Sequence, residues 1–326
     1  MNSLYTPLEF RLLNDFQHGF PLVPAPFARL ADELGTDEAT VLATLANLLD
    51  QGVVSRVGAV FAPRTVGAST LAALSAPPGR VEQVAEMINA RPEVNHNYER
   101  EHHYNLWFVA TASDEAALAA SLAGIAADAG CPVISLPMLE EFHIDLGFDL
   151  AGRAKLRYHT AAGPRRAPAP EERSLVAALQ PGLELVPRPF ARLAQQAGMD
   201  EAEVLARLAV WGDEGIVKRF GVVGRHRELG FTANAMVVFD IPDDEVGAVG
   251  ARLACDPGVT LCYRRRRHLP EWRFNLFCMV HGRSRAEVAP IVARLCRTAG
   301  YRCEVLFSTR RFKQRGARYF ETRHAA

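Results

Sequence analysis

The chain has 326 residues, enough for two or more domains, and 49% of them are hydrophobic, enough for packed cores. No apolar run reaches membrane-spanning length, and residues 1–10 lack the basic start and apolar core of a signal peptide, so a membrane protein and a secreted one are not expected. The net charge of zero is a cancellation: residues 1–163 hold 10 basic and 19 acidic side chains, residues 164–326 hold 27 and 18, so the halves are expected to attract each other.

In chain order, residues 8–16 read as a helix and 27–34 as a second, short one. Gly35-Thr36-Asp37 forms a turn and N-cap, and Val41, Leu42, Leu45, Leu48 and Leu49 follow at helical spacing up to Gly52. Residues 53–61 alternate like a small two-stranded wing, which completes a winged helix-turn-helix. Next come a strand at 69–75, a helix at 81–89, strands at 94–100 and 104–111, a helix at 116–127 and a strand at 133–136. That βαββαβ order defines a ferredoxin-like unit. Residues 151–172, rich in Ala, Arg, Gly and Pro, read as a tether. The pattern then starts again. Pro26-Phe27-Ala28-Arg29-Leu30-Ala31 returns at an offset of 163 as Pro189-Phe190-Ala191-Arg192-Leu193-Ala194, and Arg56-Val57-Gly58 returns as Arg219-Phe220-Gly221.

The expected fold is therefore α+β: a tandem repeat of a winged helix-turn-helix plus a ferredoxin-like βαββαβ domain. Its divisions are 1–65, 66–150, a linker at 151–172, 173–228 and 229–326, with the halves packed as an internal pseudo-dimer. Six dispersed cysteines without C-x-x-C spacing suggest reduced thiols in the cytoplasm and argue against a disulfide frame or zinc site. The helix-turn-helix raises the question of DNA. Residues 37–51 contain no basic side chain, and 200–214 contain Arg207 among five acids, a poor match to phosphate contacts.

The two copies diverge at His96-Asn97-Tyr98-Glu99-Arg100, which stands against Leu261-Cys262-Tyr263-Arg264-Arg265. On a strand, His96, Tyr98 and Arg100 share one face, and His102 joins them if the strand extends that far; His103 has the wrong parity. Imidazole, phenol and guanidinium on one surface suit proton transfer beside an anion. These four are the candidate catalytic residues. No carboxylate or thiolate completes a metal set with His96 and His102, so no metal site is assigned. Of the 37 basic residues 34 are arginine, the side chain that grips carboxylates with a planar fork, although a GC-rich genome would produce the same bias. Arg56, Arg219, Arg264, Arg265, Arg267 and His281 are candidate ligand-binding residues.

With these motifs the chain resembles the Lrp/AsnC architecture, and more closely the siroheme decarboxylases of the NirD/NirL and AhbA/AhbB type. The first half is similar to NirD or AhbA through Arg56-Val57-Gly58-Ala59-Val60-Phe61 and His96-Asn97-Tyr98-Glu99-Arg100-Glu101-His102. The second is similar to NirL or AhbB through Cys262-Tyr263-Arg264-Arg265, Phe274-Asn275-Leu276-Phe277 and Arg310-Arg311-Phe312-Lys313. The resemblance implies removal of the C12 and C18 acetate carboxyls of siroheme, giving 12,18-didecarboxysiroheme on the haem d1 branch. It carries essential histidines onto His96 and His102, either as proton donors or as axial ligands to the substrate's iron. It requires no separate cofactor, and leaves room for other haem d1 biosynthesis proteins as partners. A ligand-responsive Lrp/AsnC regulator and a non-catalytic haem-binding protein are the competing readings.

Overall fold

A computed structural model describes residues 4–144, 166–225 and 227–320. The chain divides into two compact units, one drawn from residues 1–66, 147–229 and 318–326, the other from 67–146 and 230–317. Like is gathered with like: both winged helices form one unit and both ferredoxin-like repeats the other.

In the winged-helix unit, α1 (Pro7–Asp15) opens with a capping box between Thr6 and Glu9. Then α2 (Pro26–Leu34) begins on proline and stops at Gly35, whose φ of 69° provides the left-handed C-cap. Asp37 caps α3 (Glu38–Asp50), its carboxylate accepting from Thr40 N at 2.8 Å. The second copy supplies α6 (Arg173–Leu179), α7 (Pro189–Ala197) and α8 (Glu201–Asp213). The expected two-stranded wings are absent. Each copy contributes one strand, β1 (Val54–Phe61) and β6 (Val217–Gly224), and these pair antiparallel across the copies with Gly58 opposite Gly221. Glycine is required at the centre because main chain crosses directly over it. A Cβ at Gly221 would lie 2.4 Å from Phe16 O, and one at Gly58 3.1 Å from Gly182 Cα.

Two boundaries differ from the sequence expectation. Within the tether expected at 151–172, a 3-10 turn occupies Pro170–Glu172 and Glu172 is only 4% exposed. The tail also departs from the expected 229–326 domain: residues 318–320 belong to the winged-helix unit, where Phe320 N donates to Gln180 Oε1 at 3.0 Å. Residues 151–165, the rest of the expected tether, lie outside the described residues.

The second unit contains β2 (Ala68–Leu74), α4 (Val81–Ala90), β3 (Val94–Arg100), β4 (Leu106–Ala112), α5 (Glu115–Ala129) and β5 (Val133–Ile144). Its other half contains β7 (Ala233–Phe239), α9 (Val246–Ala254), β8 (Val259–Arg265), β9 (Leu276–Gly282), α10 (Arg285–Ala299) and β10 (Cys303–Gln314). The eight strands close into a barrel in the order β10-β3-β4-β2-β5-β8-β9-β7. Closure comes from the two last strands, each shared between halves. β5 pairs first with β2 and then with β8; β10 pairs first with β7 and then with β3. Among the described residues the barrel itself leaves no open strand edge. One face of each sheet is covered by its own helices, and the other faces the barrel interior, where Trp107, Leu136, Tyr263, Trp272, Phe277 and Leu306 pack together.

The opposite charges of the halves meet across these seams. Arg310 pairs with Glu99 at 2.5 Å and also with Glu82, and Arg285 pairs with Glu101. All are substantially exposed, so each adds at most about 1 kcal/mol. One thiol expectation is overturned: Cys296 and Cys303 form a disulfide, with Cα atoms 6.4 Å apart. The chain turns back at Gly300 between α10 and β10, which brings together two cysteines seven residues apart in sequence. Among the described residues no helix is long and apolar enough to cross a membrane.

Candidate functional site

Strand β3 sorts its side chains by parity. Asn97 faces the helices, donating to Ala85 O at 3.3 Å and to Asn89 Oδ1 at 3.1 Å. His96, Tyr98 and Arg100 therefore face the barrel side. His96 and Tyr98 stack with ring centroids 6.2 Å apart, and the Arg100 guanidinium lies 5.9 Å from the Tyr98 ring. On one flank β4 places Val109 beside His96 and Trp107 beside Tyr98. On the other, β10 places Gln314 beside His96 and Arg311 beside Tyr98. Arg311 donates to Gln314 Oε1 at 3.2 Å. The sequence had named neither Arg311 nor Gln314 as a site residue; both come from the far end of the other half, and only the cross-strand register reveals them.

The second half repeats this ladder with one change. Arg100 Nη1 donates to Leu306 O at 2.9 Å, and its counterpart Arg265 Nη1 donates to Leu136 O at 2.6 Å. Arg265 sits 4.5 Å from the Tyr263 ring. Each arginine is 7% exposed and clamps the last strand of the opposite half to the barrel. Where His96 stands in the first half, the second has Leu261.

The arginine run does not form one anion-binding surface. Strand alternation divides it. Arg265 turns inward, and burial pulls its pKa down. Arg264 pairs with Asp243 at 3.0 Å. Arg267 pairs with Asp243 at 2.6 Å and donates to the carbonyls of Ile241 at 2.6 Å and Arg273 at 2.7 Å. These contacts tie Arg264 and Arg267 into the frame of the second half, away from the face of His96. Arg56 and Arg219 lie in the winged-helix unit. Arg219 is buried and donates to Gln17 O at 2.9 Å; Arg56 donates to Ala59 O at 3.0 Å, and burial brings its pKa down to about 10.

His102 does not continue the β3 face, because the strand ends at Arg100. Four residues of strand, about 13 Å, already separate His96 from Arg100. His102 lies in the turn beyond, where Tyr104 N donates to its Nδ1 at 2.9 Å and Nε2 is 3.4 Å from Glu304 Oε2. Burial lowers its pKa, with the Glu304 carboxylate working in the opposite sense. Its ring meets Trp272 edge-on at 5.5 Å. Trp272 belongs to the Leu269-Pro270-Glu271-Trp272 insertion of the second copy and packs against Trp107 at 4.9 Å. His281, at the end of β9, shares the inward parity of Phe277 and Met279, and its Nδ1 is 2.7 Å from Thr260 Oγ1. Among the described residues no group of three or more His, Cys, Asp or Glu side chains is placed to hold a metal.

A duplicated βαββαβ barrel joined to two helix-turn-helix repeats, asymmetric at a few inward positions, has the architecture of an AsnC-like protein. The AsnC-like ligand binding domain family matches residues 66–143 and 228–313, and the siroheme decarboxylase NirDL-like HTH domain family matches residues 9–54 and 172–217. The siroheme decarboxylase NirDL subunit of Paracoccus denitrificans is 49% identical, covering 95% of this chain and 96% of that one. The chain belongs to the siroheme decarboxylase NirDL family. Among solved structures, the siroheme decarboxylase NirDL aligns with a TM-score of 0.68 and 30% identity over 96% of this chain and 94% of that one. A siroheme decarboxylase NirDL in complex with an iron-uroporphyrin III analogue aligns with a TM-score of 0.66 and 29% identity over 96% of this chain and 93% of that one.

Proposed function

We propose that the chain is a siroheme decarboxylase that removes the C12 and C18 acetate carboxyls of siroheme to give 12,18-didecarboxysiroheme. The observation that carries the reading is full-length membership of this family in a chain whose two inward ladders differ by an imidazole, His96 against Leu261.

The chemistry follows from what the substrate brings. When an acetate C–C bond breaks, CO2 leaves and the electron pair passes into the conjugated macrocycle. A proton must then reach the methylene carbon to make a methyl group. No electron is gained or lost overall, and the iron belongs to the substrate. His96 is read as the proton donor, since an imidazole titrates near neutrality and stands on the inward face beside Tyr98. Arg311, next to Tyr98 in the register, is read as an anchor for one of the substrate's peripheral carboxylates. Arg100 and Arg265, bonded to main-chain carbonyls, are read as frame residues that hold the rims of the site. His102 has Nδ1 engaged by Tyr104 and Nε2 facing Glu304, so it is read as a support for the turn after β3.

The regulator reading is not favoured. α3 carries no basic residue, and Arg207, the one basic residue of α8, is tied to Glu172 at 2.7 Å. The reading is tested by anaerobic incubation with siroheme followed by mass spectrometry. Loss of two carboxyl groups is expected; a pigment that is bound and unchanged would return the chain to the non-catalytic haem-binding class.

A further inference from the structure

The repeat has an internal asymmetry besides His96. β3 carries an extra residue, Asn95, in the register break between Val94 and His96, and β8 carries Thr260 in the matching break between Val259 and Leu261. In the first half Asn95 Nδ2 donates to Thr111 Oγ1 at 2.9 Å, just past the Val94–Ala110 pair. In the second half the same place, just past the Val259–Val280 pair, holds Thr260 and His281, 2.7 Å apart. Thus His281 stands where the first half has Thr111, as His96 stands where the second half has Leu261.

The two histidines lie at the same rim of the barrel. Neighbouring strands run antiparallel all the way round, so β3 and β8 run one way while β4 and β9 run the other. The starts of β3 and β8 and the ends of β4 and β9 therefore gather at one mouth. His96 is near the start of β3, and His281 is near the end of β9. Both have inward parity. Among the described residues each half thus gives this mouth one imidazole of inward parity, at positions the pseudo-twofold does not relate.

The bond to Thr260 favours one tautomer of His281. Thr260 Oγ1 donates its single proton to Met279 O at 3.0 Å, so the same oxygen accepts Nδ1–H from His281. Nε2 is then the ring atom that takes up and delivers a proton.

We infer that His281, positioned by Thr260, protonates the methylene carbon left by one of the two acetates, while His96 serves the other. The inference rests on the siroheme decarboxylase reading and assigns its two events to two residues. In the step, Nε2–H of the His281 imidazolium passes its proton to the carbon as CO2 leaves; the neutral ring keeps its Nδ1–H on Thr260 and regains a proton from water. A pair of non-equivalent histidines suits two acetates on different pyrrole rings, which a twofold-symmetric pair would not distinguish.

The test uses full-length wild type, His281→Gln, Thr260→Val and Thr260→Ser with siroheme under anaerobic conditions. Pigment binding is followed by absorbance, and products are resolved by mass spectrometry and NMR. His281→Gln is expected to bind siroheme, remove one carboxyl at the wild-type rate and slow the other by ~100-fold or more, so that one mono-decarboxylated isomer accumulates. Thr260→Val should shift products toward the same isomer, and Thr260→Ser, which restores the hydroxyl, should restore full conversion. Removal of both carboxyls at wild-type rates by His281→Gln, or of neither with siroheme bound, overturns the inference and leaves the decarboxylase reading intact. If His281→Gln fails to bind pigment, the Thr260 pair decides: a Thr260→Val product ratio equal to wild type also overturns it. A wild type that removes no carboxyl removes the reading underneath.

Discussion

Replacing Glu172 tests whether a segment expected to be tether is a keystone of the winged-helix unit. Its carboxylate is 4% exposed and accepts from Arg166 at 2.6 and 3.0 Å, Arg207 at 2.7 Å, Ala169 N at 2.6 Å and Trp211 Nε1 at 3.2 Å. These donors, Arg166 foremost, pull its pKa from 4.5 down to about 2. Taken at face value that displacement corresponds to ~3 kcal/mol. Arg166 and Arg207 are 38% and 37% exposed, so solvent screening reduces it to about 2 kcal/mol. Truncation adds the cost of an unpaired Trp211 N–H, and Glu172→Ala should lose about 3–4 kcal/mol in all. Because the folded pKa is depressed, the stabilisation is complete above 4.5 and fades as pH falls through the interval toward 2. Urea unfolding of wild type and variant, at neutral pH and in acid, measures it. A variant within about 0.5 kcal/mol of wild type at neutrality, or a difference that widens on acidification, would refute the reasoning.

His102→Gln should flatten the acid side of the stability profile. Burial lowers the His102 pKa below its ordinary 6.5, so the wild type should lose stability as pH falls below that value, and the variant should lack this component in unfolding curves. Arg267→Ala should cost ~1–3 kcal/mol of stability, since it strips donors from Ile241 O and Arg273 O, while siroheme affinity measured by absorbance titration stays unchanged. Arg311→Gln should do the reverse, weakening siroheme binding and its dependence on salt with little effect on unfolding.

Much of the architecture was legible because it rests on short-range pattern. Helical spacing, the Gly35 and Gly198 stops and the βαββαβ order depend on neighbours in sequence, and the duplication displayed them twice. The alternation of His96, Tyr98 and Arg100 was legible for the same reason. What escaped depends on pairing across long separations. A wing that pairs with the other copy's wing looks like a hairpin from either copy alone. Arg311 and Thr260 become site residues only through the β10–β3 register and the β8–β9 register break. The arginine run misled because composition says nothing about which arginine meets which carbonyl: Arg265 and Arg267 have their acceptors within the fold. Parity alone does not place His102, because β3 ends at Arg100, two residues short of it.

The most direct measurement is a single-turnover reaction of wild type and His96→Ala with siroheme, anaerobically, scored for both pigment binding and carboxyl loss. The account predicts that the variant binds siroheme as wild type does and fails, by ~100-fold or more, to release CO2 from at least one acetate. A variant that removes both carboxyls at the wild-type rate would contradict it.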